Sequence, residues 1–268
     1  MLIRINGLIS MMMLVLLFGC AYPNSTKEEQ KAENSALNEN VELTISAAAS
    51  LQDALTKIEE KYEKDHTNVD LKFNFGGSGA LKQQIEQGAP VDLFFSAAED
   101  KFDDLIQKGE IDEKQGIDLV GNELVLIVPK GAKKPIKDFS DLPTQADKIA
   151  LGTPEAVPAG NYAKQTFENL KLWDSIKNKV VYAKDVRQVL SYIETGNVDT
   201  GIVYKTDALI SDKVKIVATA DNKTHDPIIY PVGVIKDTKH PEEATELYEY
   251  LQGKEAIDIL KQYGFAAE

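Results

Sequence analysis

Strand-like and helix-like segments alternate from Val41 to the C-terminus, which predicts an α/β protein. Two observations carry that prediction. Runs such as VELTISA and VDLFFSA are apolar and rich in β-formers, whereas the segments between them repeat apolar residues at three- and four-residue spacing. The links are short, which favours helices layered on mainly parallel sheets.

In chain order, VELTISA forms the first strand, and Leu51, Leu55, Ile58 and Tyr62 then fall on one helical face. VDLKFNF is a second strand, followed by GGSG and a helix with Leu81 and Ile85 on its buried side. VDLFFSA has the unbroken apolar character of a buried strand. Phe102, Leu105 and Ile106 mark the next helix, and NELVLIVPKG is a strand closed by Pro129 and Gly131. The second half repeats the style. KIALG leads through a Pro- and Gly-containing loop to a helix carrying Tyr162, Phe167 and Leu170. KVVYA precedes a helix with Val186, Val189, Leu190 and Ile193 on one face. DTGIVY and YPVGVIK are strands, and EEATELYEYLQG is a terminal helix ending at Gly253. One doubly wound sheet or two smaller sheets flanking a cleft would both accommodate this order.

The 268 residues carry a net charge of -13, from 30 Lys and Arg against 43 Asp and Glu. That balance argues against nucleic acid as a partner, which needs clustered cations. It does not exclude a small anion, because a buried site answers to its local dipoles rather than to net charge.

The N-terminus is a separate object. One basic residue, Arg4, precedes an apolar run from Leu8 to Phe18, too short to span a membrane and suited to a signal peptide. The single cysteine, Cys20, follows Gly19 in LFGC, which resembles a lipobox: residues 1–19 are expected to be removed and Cys20 lipidated, tethering the protein to the membrane. Residues 20–40 are polar and poor in large apolar side chains, as expected of a flexible tether.

Enzyme signatures are missing. His66, His225 and His240 all stand in polar, turn-like contexts and read as surface positions. GGSGA breaks the G-x-S-x-G pattern at Ala80, and there is neither HExxH nor a phosphate-binding P-loop. A hydrolase using Ser50 or Ser78 would have no plausible histidine partner. What recurs instead is a small-residue junction leading into a helix, at Ser50, Ser78, Ala159 and Val186. Helix starts carry unpaired N–H groups and partial positive charge, and small side chains admit a ligand to them, so an oxyanion is the fitting guest. For any single Ser before a helix, plain capping is the better explanation; Gly76, Gly77 and Gly79 alone could mark a tight turn, Pro158-Ala159-Gly160 a helix entry, and Tyr204 half-buried packing.

Taken together, SAAASLQDAL, GGSGALKQQIEQGAPVDLFFSA, LVGNELVLIVPK, TPEAVPAGNYAK, KDVRQVLSYIETGNVDTGIVY and the final YGF are similar, in this order, to the molybdate-binding proteins of molybdate ABC importers. The resemblance spans Val41 to Phe265. It implies a two-lobed periplasmic-binding-protein type II fold with a ligand cleft between two mainly parallel sheets. Lobe 1 would comprise residues 41–123 and 231–268, and lobe 2 residues 124–230, with hinges near Gly121–Leu126 and Tyr230–Val234. It also implies a non-enzymatic, monomeric protein without cofactor. Ser50 and Ser78 would bind molybdate or tungstate through hydroxyl and N–H, Ala159 and Val186 through backbone N–H, and Tyr204 through its phenol. A permease would be the protein partner. Many relatives carry extra serines beside the Ser78 position, where this chain has Gly77 and Gly79. The alternatives are another tetrahedral oxyanion such as sulfate, or a surface sensor lipoprotein of the same fold.

Overall fold

The computed structural model describes residues 40–267. The expected signal peptide, Cys20 and tether, up to residue 39, lie outside the described residues. The first lobe begins with β1 (Val41–Ala48), a short 3-10 turn at Ala49–Leu51, and α1 (Gln52–Asp65). It continues through β2 (Val69–Gly76), α2 (Ser78–Glu86), β3 (Leu93–Phe95), α3 (Glu99–Gln107) and β4 (Ile111–Gly121). The chain then crosses at Asn122 and Glu123 into β5 (Leu124–Pro129), α4 (Leu142–Gln145), β6 (Ile149–Gly152), α5 (Pro158–Asn169), α6 (Trp173–Ile176) and β7 (Val180–Ala183). After α7 (Val186–Glu194), β8 (Thr200–Tyr204), α8 (Lys205–Leu209) and β9 (Val214–Thr219), it returns as β10 (Ile229–Ile235) and ends in α9 (Pro241–Gln252) and α10 (Lys254–Gln262).

These strands form two five-stranded sheets, ordered β2-β1-β3-β10-β4 and β7-β6-β8-β5-β9. Both are mixed rather than mainly parallel. In the first, β1 runs parallel to β2 and β3, but β10 is antiparallel to β3 and β4. In the second, β6 is parallel to β7 and β8, while β5 is antiparallel to β8 and β9. The parallel junctions are those bridged by helical crossovers. β10 instead enters directly from the other sheet, so nothing turns it into the common direction.

Burial explains why these residues form these elements. Leu93, Phe94 and Phe95 are all buried, because β3 lies between β1 and β10 with helices on both faces. Leu55, Ile58 and Tyr62 of α1 and Val186, Val189, Leu190 and Ile193 of α7 are buried along one stripe each, as their spacing requires. β4 and β9 carry no sequence signal because both are edge strands with largely solvated side chains. Helical structure also continues beyond Gly253, where α10 buries Ala256, Ile259 and Leu260.

The second crossing lies between Thr219 and Ile229, ahead of the expected Tyr230–Val234. Ile229 and Tyr230 already pair with Gly121 and Val120 of the first sheet. Pro231 disguises this, since a proline reads as a strand start; here it sits at a register shift, where its missing N–H is tolerated. The two crossings are bonded to each other through Asn122 N–H to Ile228 O, 3.2 Å. The C-terminal YGF segment closes over them: Gly121 and Ala266 exchange backbone hydrogen bonds, Phe265 packs edge-on to Tyr230, and Gly264 takes the left-handed φ of +95° that the turn needs.

Candidate functional site

Four helix starts and one strand end converge between the two sheets. β1 runs out through Ala47 and Ala48 into the turn that carries Ser50, and α1 follows. Ser78 is the first residue of α2, Ala159 the second of α5 and Val186 the first of α7, so their N–H groups have no acceptor within their own helices. Tyr204 closes β8. All five residues line one small cavity of about 10 Å³, far too tight for an organic solute. Every residue lining it is uncharged.

The Ser50 and Ser78 hydroxyls stand at this cavity and not as helix caps, and Tyr204 Oη donates to Ala97 O at 3.4 Å on the same wall. Ser50 and Ser78 make no capping hydrogen bond, so the capping alternative fails for both. Ser78 Oγ accepts from Ala97 N at 2.9 Å, which leaves its own proton free. Ser50 Oγ lies 2.9 Å from Tyr230 Oη. Asn122 favours Tyr230 as the donor in that bond: its Oδ1 accepts from Glu123 N, so its Nδ2 donates to Tyr230 Oη (3.2 Å) and Thr206 Oγ1 (3.0 Å). With Tyr230 donating to Ser50, the Ser50 hydroxyl remains available to an acceptor. Burial pushes the Tyr204 and Tyr230 phenols well above the usual range, so both stay protonated as donors.

Close packing between the lobes depends on glycine. A Cβ on Gly77 would lie 2.6 Å from Ala156 O, and one on Gly79 would lie 2.9 Å from Glu155 O. In their place runs a direct backbone bond from Gly79 N to Ala156 O, 3.0 Å. The glycines of GGSG therefore serve approach between lobes, where the sequence alone also allowed a tight turn.

Arg187, next to Val186, is outside the cavity lining. Its Nε donates to Ala49 O (3.2 Å) and its terminal nitrogen to Ser50 O (3.4 Å). It also forms close ion pairs with Asp53 (2.5 Å) and Asp207 (3.0 Å), neither aligned well enough to be a hydrogen bond. Asp207 is fully buried; burial raises its carboxyl to about 7 despite the opposing Arg187 charge.

The histidines lie apart. His66 stacks on Tyr62, and His240 precedes α9. His225 departs from its expected surface position: it is buried beside Tyr162, with Nδ1 2.7 Å from Asp226 O. None of the three lines the cavity. Sequence reading missed Arg187, Asn122, Tyr230 and Asp207, whose partners are mostly distant in the chain.

Residues 43–266 match the family model described as bacterial extracellular solute-binding protein. The chain belongs to that family. Among its relatives, this solute-binding protein is 56% identical over 254 residues to YvgL of Bacillus subtilis (strain 168), covering 95% of this chain and 94% of YvgL. YvgL is named, provisionally, as an ABC transporter substrate-binding lipoprotein. The molybdate-binding protein ModA of Escherichia coli (strain K12) is 38% identical over 238 residues, covering 86% of this chain and 91% of ModA. The periplasmic molybdate-binding protein of Azotobacter vinelandii superposes with a TM-score of 0.75 at 24% identity, over 84% of this chain and 99% of that one. That likeness establishes the two-lobed fold of the solute-binding protein, and the family places it outside the cytoplasm as a binder of solutes.

Proposed function

We propose that this solute-binding protein captures molybdate, and tungstate with it, and delivers the oxyanion to the permease of an ABC importer. The single observation that carries the reading is the small, uncharged cavity between the lobes with Ser50, Ser78, Ala159, Val186 and Tyr204 on its wall. The 38% identity to a protein named for molybdate supports the choice of anion.

Ser50 and Ser78 would hold the dianion from lobe 1, and Ala159, Val186 and Tyr204 from lobe 2. Each donor to a charged acceptor contributes roughly 1.5–3 kcal/mol net. Five such bonds sum to roughly 7.5–15 kcal/mol before ordering costs, a range that brackets the roughly 8 kcal/mol of micromolar binding. Since only the closed form makes all five, the anion shifts the population toward closure, and the permease would read the closed shape. Residues 1–19 act as a signal peptide and Cys20 as a lipidated anchor, with the tether running to residue 40; the name of YvgL supports the lipoprotein assignment. The protein acts as a binder and not as an enzyme.

Calorimetric titration with molybdate, tungstate, sulfate and phosphate tests this reading. Molybdate and tungstate should bind at micromolar strength or tighter and displace each other. Sulfate binding as tight as molybdate would reassign the ligand.

A further inference from the structure

Arg187 adjoins the cavity-lining Val186, and it spends its donors away from the cavity. The guanidinium of lobe 2 reaches across to the turn that carries Ser50, donating to the carbonyls of Ala49 and Ser50. It pairs with Asp53 in the first turn of α1, also on lobe 1. Within lobe 2 it pairs with the buried Asp207, whose Oδ2 accepts the backbone N–H of Tyr204 at 3.2 Å. Arg187 is also the covalent neighbour of Val186. One side chain thus meets the supports of three of the five proposed ligand positions, two on its own lobe and one opposite.

We propose that Arg187 is a positioning residue that latches the two lobes shut around the bound oxyanion without touching it. The inference rests on the reading of the cavity as an oxyanion site. Asp207 holds the guanidinium in place within lobe 2, so the planar fork is preorganised before closure. Closing adds Asp53 and the two carbonyls at once. Ligand and latch therefore favour the same conformation, and each strengthens the other by the same factor. The arrangement also explains how a cation can stand near the anion yet leave the cavity wall neutral: it faces the Asp53 and Asp207 carboxyls and is turned toward carbonyl oxygens.

Asp53→Asn in the full chain is the first test, because Asp53 is partly exposed on lobe 1 and its loss leaves no buried charge unpaired. Arg187→Gln combined with Asp207→Asn is the second, since Arg187→Gln alone would strand the buried Asp207 and risk misfolding. Molybdate affinity is read by calorimetry. Closure is read by hydrogen exchange at the Gly79 amide, which bonds across the lobes to Ala156. Asp53→Asn should weaken molybdate about threefold and the double variant at least about tenfold. Both should speed Gly79 exchange under saturating molybdate, and Asp53→Asn should leave the melting temperature of the ligand-free protein unchanged. Wild-type affinity and exchange in Asp53→Asn and in the double variant would overturn the latch. So would a fall in ligand-free melting temperature as large as the fall with ligand, which would make the pair a structural brace. If the wild type binds no molybdate, the reading of the cavity falls separately. The latch is then judged on Gly79 exchange in the ligand-free chain, where faster exchange in Asp53→Asn supports it and equal exchange overturns it.

Discussion

Replacing Gly77 with alanine should impair ligand binding while sparing the ligand-free fold. Gly77 has φ −71°, which any residue adopts, so only space is at issue. The added Cβ would stand 2.6 Å from Ala156 O, a backbone atom of the opposite lobe that no rotamer can move. Restoring ordinary contact near 3.4 Å requires the lobes to part by about 0.8 Å. That displacement would stretch Gly79 N to Ala156 O from 3.0 Å to roughly 3.8 Å, beyond hydrogen bonding. The lost backbone bond is worth about 1 kcal/mol, and one loosened bond to the anion about 1.5–3 kcal/mol. Together they predict a loss of about 2.5–4 kcal/mol, or roughly 70- to 1,000-fold in affinity. With the lobes apart the clash vanishes, so the ligand-free melting temperature should stay within about 1 °C of wild type. Calorimetry and paired thermal melts with and without molybdate provide the assay. Wild-type affinity, or an equal loss of stability in both melts, would refute the reasoning.

Three further outcomes follow from the site. Ser50→Ala and Tyr204→Phe should each weaken molybdate by about 1–3 kcal/mol, because each removes a donor to a charged acceptor; normal calorimetric affinity in Tyr204→Phe would remove that residue from the site. Tyr230→Phe should cost about 1 kcal/mol of affinity although Tyr230 is not on the cavity wall, since it frees Ser50 to turn its proton elsewhere; an unaltered dissociation constant would break the proposed relay from Asn122. Asp207 predicts a pH dependence. Its carboxyl is raised to about 7 by burial, so the native state holds a proton that the unfolded chain releases. Its stabilising contribution is complete below about pH 4 and is lost as pH rises through 7. Asp207→Asn, which cannot ionise, should therefore lose less stability than wild type between pH 5 and 8 in thermal melts. Parallel pH profiles would contradict this.

The parts of the site legible in the sequence are those with a local cause. A small residue at a helix start leaves a free N–H whatever the rest of the chain does, so Ser50, Ser78, Ala159 and Val186 could be singled out before any contact was known. Whether their hydroxyls cap or face inward could not be read, because Ala97 and Tyr230 decide it from elsewhere in the chain. Arg187 is invisible for the same reason: its acceptors on lobe 1 lie 137 and 138 residues away. The fold follows a similar divide. Strands buried on both faces, such as β3 and β5, announce themselves by continuous apolar runs. The edge strands β4 and β9 do not, and strand direction in the sheets depends on crossings that leave no residue pattern. Pro231 and Gly253, good punctuation elsewhere, here sit at a register shift and between two helices.

The central claim is that uncharged amides and hydroxyls from both lobes hold a doubly charged tetrahedral anion. Anomalous diffraction at the molybdenum edge from crystals of the molybdate complex tests it most directly. The account predicts one strong peak within hydrogen-bonding reach, through its oxygens, of Ser50, Ser78, Ala159, Val186 and Tyr204, with Arg187 still turned toward Ala49 and Ser50. A peak seated against a lysine or arginine side chain, or away from the space between the lobes, would contradict it.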